Sequence, residues 1–287
     1  MNDLCFFVSD LHGKVSKYEK LLLQIAAVSP RAVFFGGDLL PGTAIFGAGK
    51  TDPYPDFVND YLGKQMALLR EKMGASFPLV FIIPGNDDPR MEEASFLKHE
   101  KAGLWHYIHN KAFNLDGFTV YGYANVPPTP FMLKDWERYD VSRFVDPGCV
   151  HPTEGFRTVK PEEDVEFATI REDLNKLAGD KNLDRSVFLF HSPPYQTYLD
   201  RAALDGVMID HVPADVHVGS IAIKEFIEQR QPLLTLHGHI HESASITGYW
   251  KQQMGNTWAL SAAGNAPGLS LVRFNLRDPG NAERCIL

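Results

Sequence analysis

The chain has 287 residues, 44% of them hydrophobic, and a formal net charge of -8 from 28 basic and 36 acidic side chains. That composition suits a soluble globular protein with an extensive core; it gives no electrostatic reason to bind bulk nucleic acid and offers no apolar stretch of membrane-spanning length. The three cysteines, Cys5, Cys149 and Cys285, lie too far apart for a Cys-x-x-Cys pair and are odd in number for a disulfide framework, so a reduced, cytoplasmic setting is expected.

Leu4 to Val8 is a short continuous apolar run, the pattern of a strand buried on both faces, and it leads into Asp10-Leu11-His12-Gly13. The polar run already begins at Ser9-Asp10, leaving no room for a signal peptide ahead of it. Cys5 reads as a small buried core residue. Tyr18, Leu21, Leu22, Ile25 and Val28 recur at helical spacing, closed by Ser29-Pro30. Ala32 to Phe35 is a second strand running into Gly36-Gly37-Asp38. A Gly/Pro-rich loop from Leu40 to Pro55 follows, and Val58, Leu62, Leu69 and Met73 then mark one face of another helix. Leu79 to Ile83 is a third strand, stopped by Pro84-Gly85-Asn86-Asp87.

Phe118 to Tyr123 reads as a strand, and an irregular stretch rich in proline and aromatics occupies residues 125–160. Pro161 suits the first turn of a helix reaching Leu177. Val187 to Phe190 delivers His191-Ser192-Pro193-Pro194. Ser220 is a candidate N-cap for the helix carrying Ile223, Phe226 and Ile227, which Pro232 ends. Leu233 to Leu236 delivers His237-Gly238-His239-Ile240-His241, and Thr257 to Ser261 and Leu269 to Phe274 are closing strands. No repeat, low-complexity tract or linker divides the chain, so residues 1–287 are expected to form one domain with an irregular insertion at 125–160.

Asp10, His12, Asp38, Asn86, His191, His239 and His241 each follow a candidate strand, where the loops of an α/β sheet converge. Two carboxylates, an amide and four imidazoles, with no thiolate, suit hard or borderline divalent cations: manganese first, then iron or zinc. Two such ions roughly 3.5–4 Å apart can clamp both the attacking and the leaving oxygens of an in-line displacement. Strand alternation is expected to aim Asp10 with His12, and His239 with His241, to one side. Glycines before Asp38, Asn86 and His239 let the backbone come close to the ions. Singly, these are also turn carboxylates, a turn asparagine and strand-end histidines. Five clusters in order, ending on two alternating histidines without a packing rationale, make a binuclear metal centre the leading reading.

The series Asp10-x-His12, Gly37-Asp38, Gly85-Asn86, His191 and Gly238-His239-x-His241 resembles the calcineurin-like metallophosphoesterase superfamily. His217-Val218-Gly219-Ser220, Phe226-Ile227 and Gln231-Pro232 are further similar to its cytoplasmic prokaryotic members. The resemblance implies an α/β fold, a four-layer α/β/β/α sandwich of two mixed sheets flanked by helices. It implies one ion on Asp10, His12, Asp38 and His241 and another on Asp38, Asn86, His191 and His239, with Asp38 bridging. It also implies a hydroxide between the ions that attacks the phosphorus of a small phosphate ester.

Many members carry histidine after the motif asparagine, where this chain has Asp87. A carboxylate there is expected to stay ionised and to repel substrate charge, which favours phosphodiesters over monoester dianions; the other reading of Asp87 is a residue that orients a ligand. Asn86 and Asp87 are thus the candidate catalytic residues. Arg90 is a candidate substrate contact or a solvated salt-bridge partner. Tyr123, Phe131, Trp136, Arg138, Tyr139 and Arg143 either stack on a base and hold a phosphate or pin a surface loop. His237 and His211 lack motif support.

The expected function is a binuclear metal-dependent phosphodiesterase acting on a small or nucleotide-like ester. A nucleotide-linked pyrophosphatase and a metal-binding protein-interaction scaffold without turnover are the alternatives, and a DNA nuclease is disfavoured by the acidic balance. The sequence leaves the oligomeric state open.

Overall fold

Strands that are apolar at every position must be covered on both faces, which requires a layered architecture. The computed structural model describes residues 3–42, 53–162 and 164–287, so most of the Gly/Pro-rich loop expected over 40–55 lies outside the described residues. The first half runs β1 (Leu4–Val8), α1 (Val15–Val28), β2 (Ala32–Gly36), α2 (Gly63–Met73), β3 (Leu79–Ile83), α3 (Glu93–Lys101), β4 (His106–Tyr107), β5 (Lys111–Leu115) and β6 (Phe118–Tyr123). The second half begins with α4 (Ile170–Ala178), β7 (Ser186–Phe190), β8 (Met208–Ile209), β9 (Val212–Pro213) and α5 (Ile221–Arg230). It closes with β10 (Leu234–His237), α6 (Ser243–Thr247), β11 (Lys251–Met254), β12 (Thr257–Ser261), β13 (Ser270–Asn275) and β14 (Asp278–Ile286).

Two six-stranded sheets result, in the orders β14-β13-β1-β2-β3-β4 and β11-β12-β10-β7-β6-β5. Their centres are parallel, through β1-β2-β3-β4 and β12-β10-β7-β6, and antiparallel strands extend them. Both sheets are therefore mixed, and the expected α/β/β/α sandwich is the observed one.

Alternation along each strand explains the layers. In the first sheet Phe6, Val8, Val33, Phe35, Val80 and Ile82 face α1 and α2, meeting Tyr18, Leu21, Ile25 and Met66. The intervening Cys5, Phe7, Phe34 and Phe81 turn inward, where they meet Val120, Val187, Leu189, Leu234 and Leu236 of the second sheet. Phe7 pairs with Phe34 and Phe34 with Phe81 in register, and the Phe34 and Phe81 rings stack on the inner face. Phe188 and Phe190 point the other way, onto Ile170, Leu174, Ile223 and Phe226 of α4 and α5. Fully burying one such side chain contributes about 1.5–3 kcal/mol. Cys5 is fully buried, as expected.

The apolar strands fall where expected, to within a residue or so at their ends. Ser220 caps α5, its hydroxyl accepting from the Ile223 N–H at 3.0 Å. The second helical face starts as a π-helical turn, Val58–Leu62, before α2. The helix expected from Pro161 instead begins at Ile170. Asp164 Oδ1 accepts the N–H groups of Glu166 and Phe167, a local turn that competes with helix, and Thr169 provides the cap with its hydroxyl on the Glu172 N–H at 3.2 Å.

Between β6 and α4 the described residues form isolated bridges rather than regular strands or helices. This segment is organised by a fully buried ion pair, Lys134 Nζ to Glu137 Oε2 at 2.6 Å. Thr129 completes it, donating its N–H and hydroxyl to Glu137 and accepting Lys134 Nζ on its carbonyl. Burial pushes the Glu137 carboxyl up to about 7 even with Lys134 alongside. Removing one partner strands a buried charge. Lys134→Met is expected to lower the unfolding free energy by about 3–5 kcal/mol in denaturant melts, with much of the loss recovered when Glu137→Gln is added. A loss within the error of the melts for the single variant refutes this role.

Candidate metal centre

The strand-to-loop turns that carry the candidate ligands are left-handed. Asp10 (φ 57°), His12 (φ 48°), Asp38 (φ 52°) and His239 (φ 73°) all have positive φ, in a region that non-glycine residues rarely occupy. This corrects the alternation argument: β1 stops at Val8 and β10 at His237, so neither histidine pair lies in extended backbone. The side chains converge through tight turns held by neighbouring loops. Asp10 and His12 donate their N–H groups to the carbonyls of Gly37 and Asp38 at 3.0 and 2.9 Å, and Gly238 donates to the His191 carbonyl at 2.9 Å.

Two groups of donor atoms form, each within 4.8 Å: Asp10, His12, Asp38 and His241, and Asp38, His191 and His239. Asp38 belongs to both. Asn86 joins the second, its Oδ1 lying 3.1 Å from His191 Nε2. Every residue expected in the centre is thus brought to one place, at the carboxyl ends of β1, β2, β3, β7 and β10.

Asp10, Asp38, Asn86 and His191 form a floor, each no more than 4% exposed. His12, His241 and Asp87 form a rim, with side chains 18%, 34% and 42% exposed. On the floor, His191 Nδ1 donates to the Gly36 carbonyl at 2.7 Å, which directs Nε2 at Asp38 Oδ2, 3.3 Å away. At the rim, Nε2 of His12 and of His241 approach to 3.0 Å, and His241 Nε2 lies 3.3 Å from Asp10 Oδ1. Asp10 Oδ2 is buried with no hydrogen-bond partner.

Burial opposes ionisation of Asp10, but the His241 hydrogen bond and the His191 charge outweigh it and hold the carboxyl below its usual range. Asp38 is held low in the same way, chiefly by His191. Burial alone would depress His191; the Asp38 carboxylate reverses this and lifts it to about 10. Desolvation and the neighbouring His191 charge push the half-buried His239 down to about 3. Asp87 is pushed up to about 6, first by burial and then by Asp38. A cation held among these groups would displace their protons. An orphaned buried carboxylate oxygen, an amide oxygen and imidazole nitrogens that face one another fit divalent cations well.

Asp88 is a bracing residue of the site that the motif reading missed. Its fully buried carboxylate accepts the N–H groups of Leu39, Leu40 and Gly85 at 2.9, 2.7 and 2.8 Å, tying the Asp38 loop to the Asn86 loop. The doubled aspartate after Asn86 was the only available signal. Lys17 was also missed; from α1 its buried Nζ donates to the Asp10 carbonyl at 3.1 Å.

Arg90 lies with Nε 3.3 Å from Glu93 and its guanidinium 4.9 Å over Trp136. Tyr123, Trp136, Arg138 and Tyr139 are buried, so the part of the loop expected to stack on a base is an internal pin; Phe131 and Arg143 remain exposed. Trp136 Nε1 donates to the Asp88 carbonyl at 2.7 Å, and Asp135 Oδ2 accepts the Arg90 N–H at 2.8 Å. His237 is a satisfied core residue between the Ser192 carbonyl and the Thr235 hydroxyl, while His211 sits at the β8–β9 turn.

A donor set of this kind, at the strand ends of a two-sheet sandwich, defines a class of metal-dependent hydrolase. The calcineurin-like phosphoesterase family model matches residues 5–243, and the chain belongs to that dinuclear metal-dependent family. The Thermus thermophilus protein TT1561 has a similar fold, with a TM-score of 0.58 at 18% identity over 99% of this chain and 98% of that one. A dimetal phosphatase from Danio rerio gives 0.53 at 11% identity, over 95% and 92%. No curated protein sequence matches significantly. Among the described residues no helix is long and apolar enough to cross a membrane.

Gly85 packs so closely that a Cβ there would collide with Asp38 Oδ1 and the Asp38 backbone nitrogen. Gly85→Ala is expected to lower stability by about 1–3 kcal/mol and to displace Asp38, reducing the Mn taken up in equilibrium dialysis. Unchanged stability and Mn content would show that the turn has slack.

Proposed function

We propose that the protein is a two-metal phosphoesterase with a preference for phosphodiesters, hydrolysing a small or nucleotide-like ester. The observation that carries this reading is the sharing of Asp38 between two donor groups. In the proposed assignment Asp10, His12 and His241 complete one ion's ligands, and Asn86, His191 and His239 complete the other's. Manganese suits the oxygen and imidazole donors best, with iron or zinc next. When bound, the pair of ions supplies Lewis acidity and an activated water for in-line displacement at phosphorus.

The chain's own residues set the terms of that chemistry. Asp10 and Asp38 contribute two negative charges, fewer than two divalent ions would bring, so a loaded floor would be net positive and would attract a phosphoryl group. His191, locked by the Gly36 carbonyl, offers Nε2 alone. Substrate enters from the rim, because the floor is closed and His12, His239, His241 and Asp87 are partly exposed. There Asp87 meets it. With cations held by the neighbouring ligands, the Asp87 carboxylate would stay charged and would repel a dianionic monoester more than a singly charged diester. At an effective dielectric of 20 a unit charge about 4 Å away is worth on the order of 4 kcal/mol, and partial exposure reduces that severalfold.

We read Arg90 as a brace for the Asn86 loop rather than a substrate contact, because Glu93 and Trp136 engage its guanidinium. Residues 1–287 are taken as one domain, since β13 and β14, beyond the family-matched segment, extend the sheet that carries Asp10. Free thiols at Cys5, Cys149 and Cys285 support a reducing, cytoplasmic setting.

Elemental analysis after dialysis against Mn is expected to find two ions per chain, and Asp38→Ala is expected to hold fewer than one. Against a panel of diesters, monoesters and nucleoside diphosphate conjugates, kcat/KM is expected to be highest for a diester. Asp87→His is expected to raise the monoester-to-diester ratio about tenfold, equivalent to 1.4 kcal/mol. Preferred cleavage of the diphosphate conjugates supports a pyrophosphatase instead, and full metal occupancy without turnover of any ester supports a scaffold.

A further inference from the structure

Asp87 touches both halves of the centre. Its backbone N–H donates to Asp38 Oδ1 at 2.9 Å, so it grips the carboxylate common to the two donor groups. Its own carboxylate spans the groups. Oδ1 accepts from Asn86 Nδ2 at 3.1 Å, and Oδ2 lies 3.7 Å from His12 Nδ1. Asn86 stands beside His191 in one group, whereas His12 faces His241 in the other.

We propose that Asp87 is a positioning residue, a clasp that sets the donor atoms of Asn86 and His12 together. The chemistry is specific at each end. An amide whose NH2 is held by a carboxylate turns its oxygen the opposite way, and here Asn86 Oδ1 is directed at His191 Nε2. An imidazole whose Nδ1 faces a carboxylate carries its proton there and leaves the Nε2 lone pair free, and His12 Nε2 is the atom that points into the centre. At 3.7 Å the two groups stand beyond a direct hydrogen bond, and a bridging water or a small rotation closes the gap.

This role rests on the metal reading above but is separate from the repulsion of substrate charge. It concerns how the ligands are held before any ester arrives. Residues that orient metal ligands are typically worth 10–100-fold in affinity.

The test compares Asp87→Ala with Asp87→Asn, using Mn binding by equilibrium dialysis and the ring-nitrogen shifts of His12 in the metal-free protein by 15N NMR. Asp87→Ala is expected to weaken Mn binding 10–100-fold and to release His12 from its Nδ1–H tautomer. Asp87→Asn retains an acceptor oxygen and is expected to fall between Asp87→Ala and the wild type in both measurements. Equal losses in the two variants would mean that the carboxylate acts through charge alone, which overturns the clasp. Unchanged Mn affinity in Asp87→Ala also overturns it, while leaving the ester preference to be judged from turnover. Should the wild type bind no Mn, the metal reading fails first; the His12 tautomer then decides the clasp, and indifference to Asp87→Ala refutes it.

Discussion

Two carboxylates lie almost completely buried in a space faced by four imidazoles, and the geometry of the rest of the molecule follows from keeping them there. A buried charge without partners is costly enough that a protein either neutralises it or surrounds it with fixed dipoles and cations. Asp10 Oδ1 takes the His239 N–H, and Asp38 Oδ1 takes the Asp87 N–H. Asp10 Oδ2 is left without a partner. Backbone donors thus fix where the carboxylates sit without consuming all of their acceptor capacity, which is what a cation site needs.

Holding them also requires backbone that the chain would not adopt alone. Four non-glycine residues in left-handed conformation cost of order 1–3 kcal/mol each, a strain tolerated only where the surroundings over-determine it. The sandwich supplies that constraint. Phe7, Phe34 and Phe81 pin the first sheet to the second, so the ends of β1, β2 and β3 cannot drift from those of β7 and β10. The irregular segment between β6 and α4 reaches the same region from another side, through Trp136 and Asp135 on the backbone of Asp88 and Arg90. Of its aromatic residues, Trp136 takes part in this bracing and Tyr139 is buried, while Phe131, Phe144 and Phe167 stay exposed.

The interior strands were legible in the sequence and the edges were not, for one physical reason. A central strand is covered on both faces and reads as an unbroken apolar run, as in Leu4 to Val8 or Leu79 to Ile83. Pattern reading missed the short β8–β9 hairpin and four longer-range strands, β4, β5, β11 and β14, which are the edges of the two six-stranded sheets. Lys251–Met254 is largely polar, Lys111–Leu115 mixes polar with apolar residues and is mostly exposed, and β14 begins Asp278-Pro279-Gly280, residues that signal a turn but are admissible at an edge. The α4 start was misplaced because a proline permits a helix without requiring one, whereas the Asp164 turn and the Thr169 cap are local hydrogen bonds that settled it.

The candidate site divides in the same way. By itself the sequence determined the donor set, because Asp10, His12, Asp38, Asn86, His191, His239 and His241 each follow an element whose apolar pattern is local. Only the tertiary structure decided that these atoms form two groups sharing Asp38, that left-handed turns rather than strand alternation aim them, and that Asp88 ties two of the loops. Periodicity reports which face of an element is buried. Convergence of five loops depends on hydrogen bonds between residues up to 231 positions apart, such as Asp10 with His241, and no local pattern encodes those.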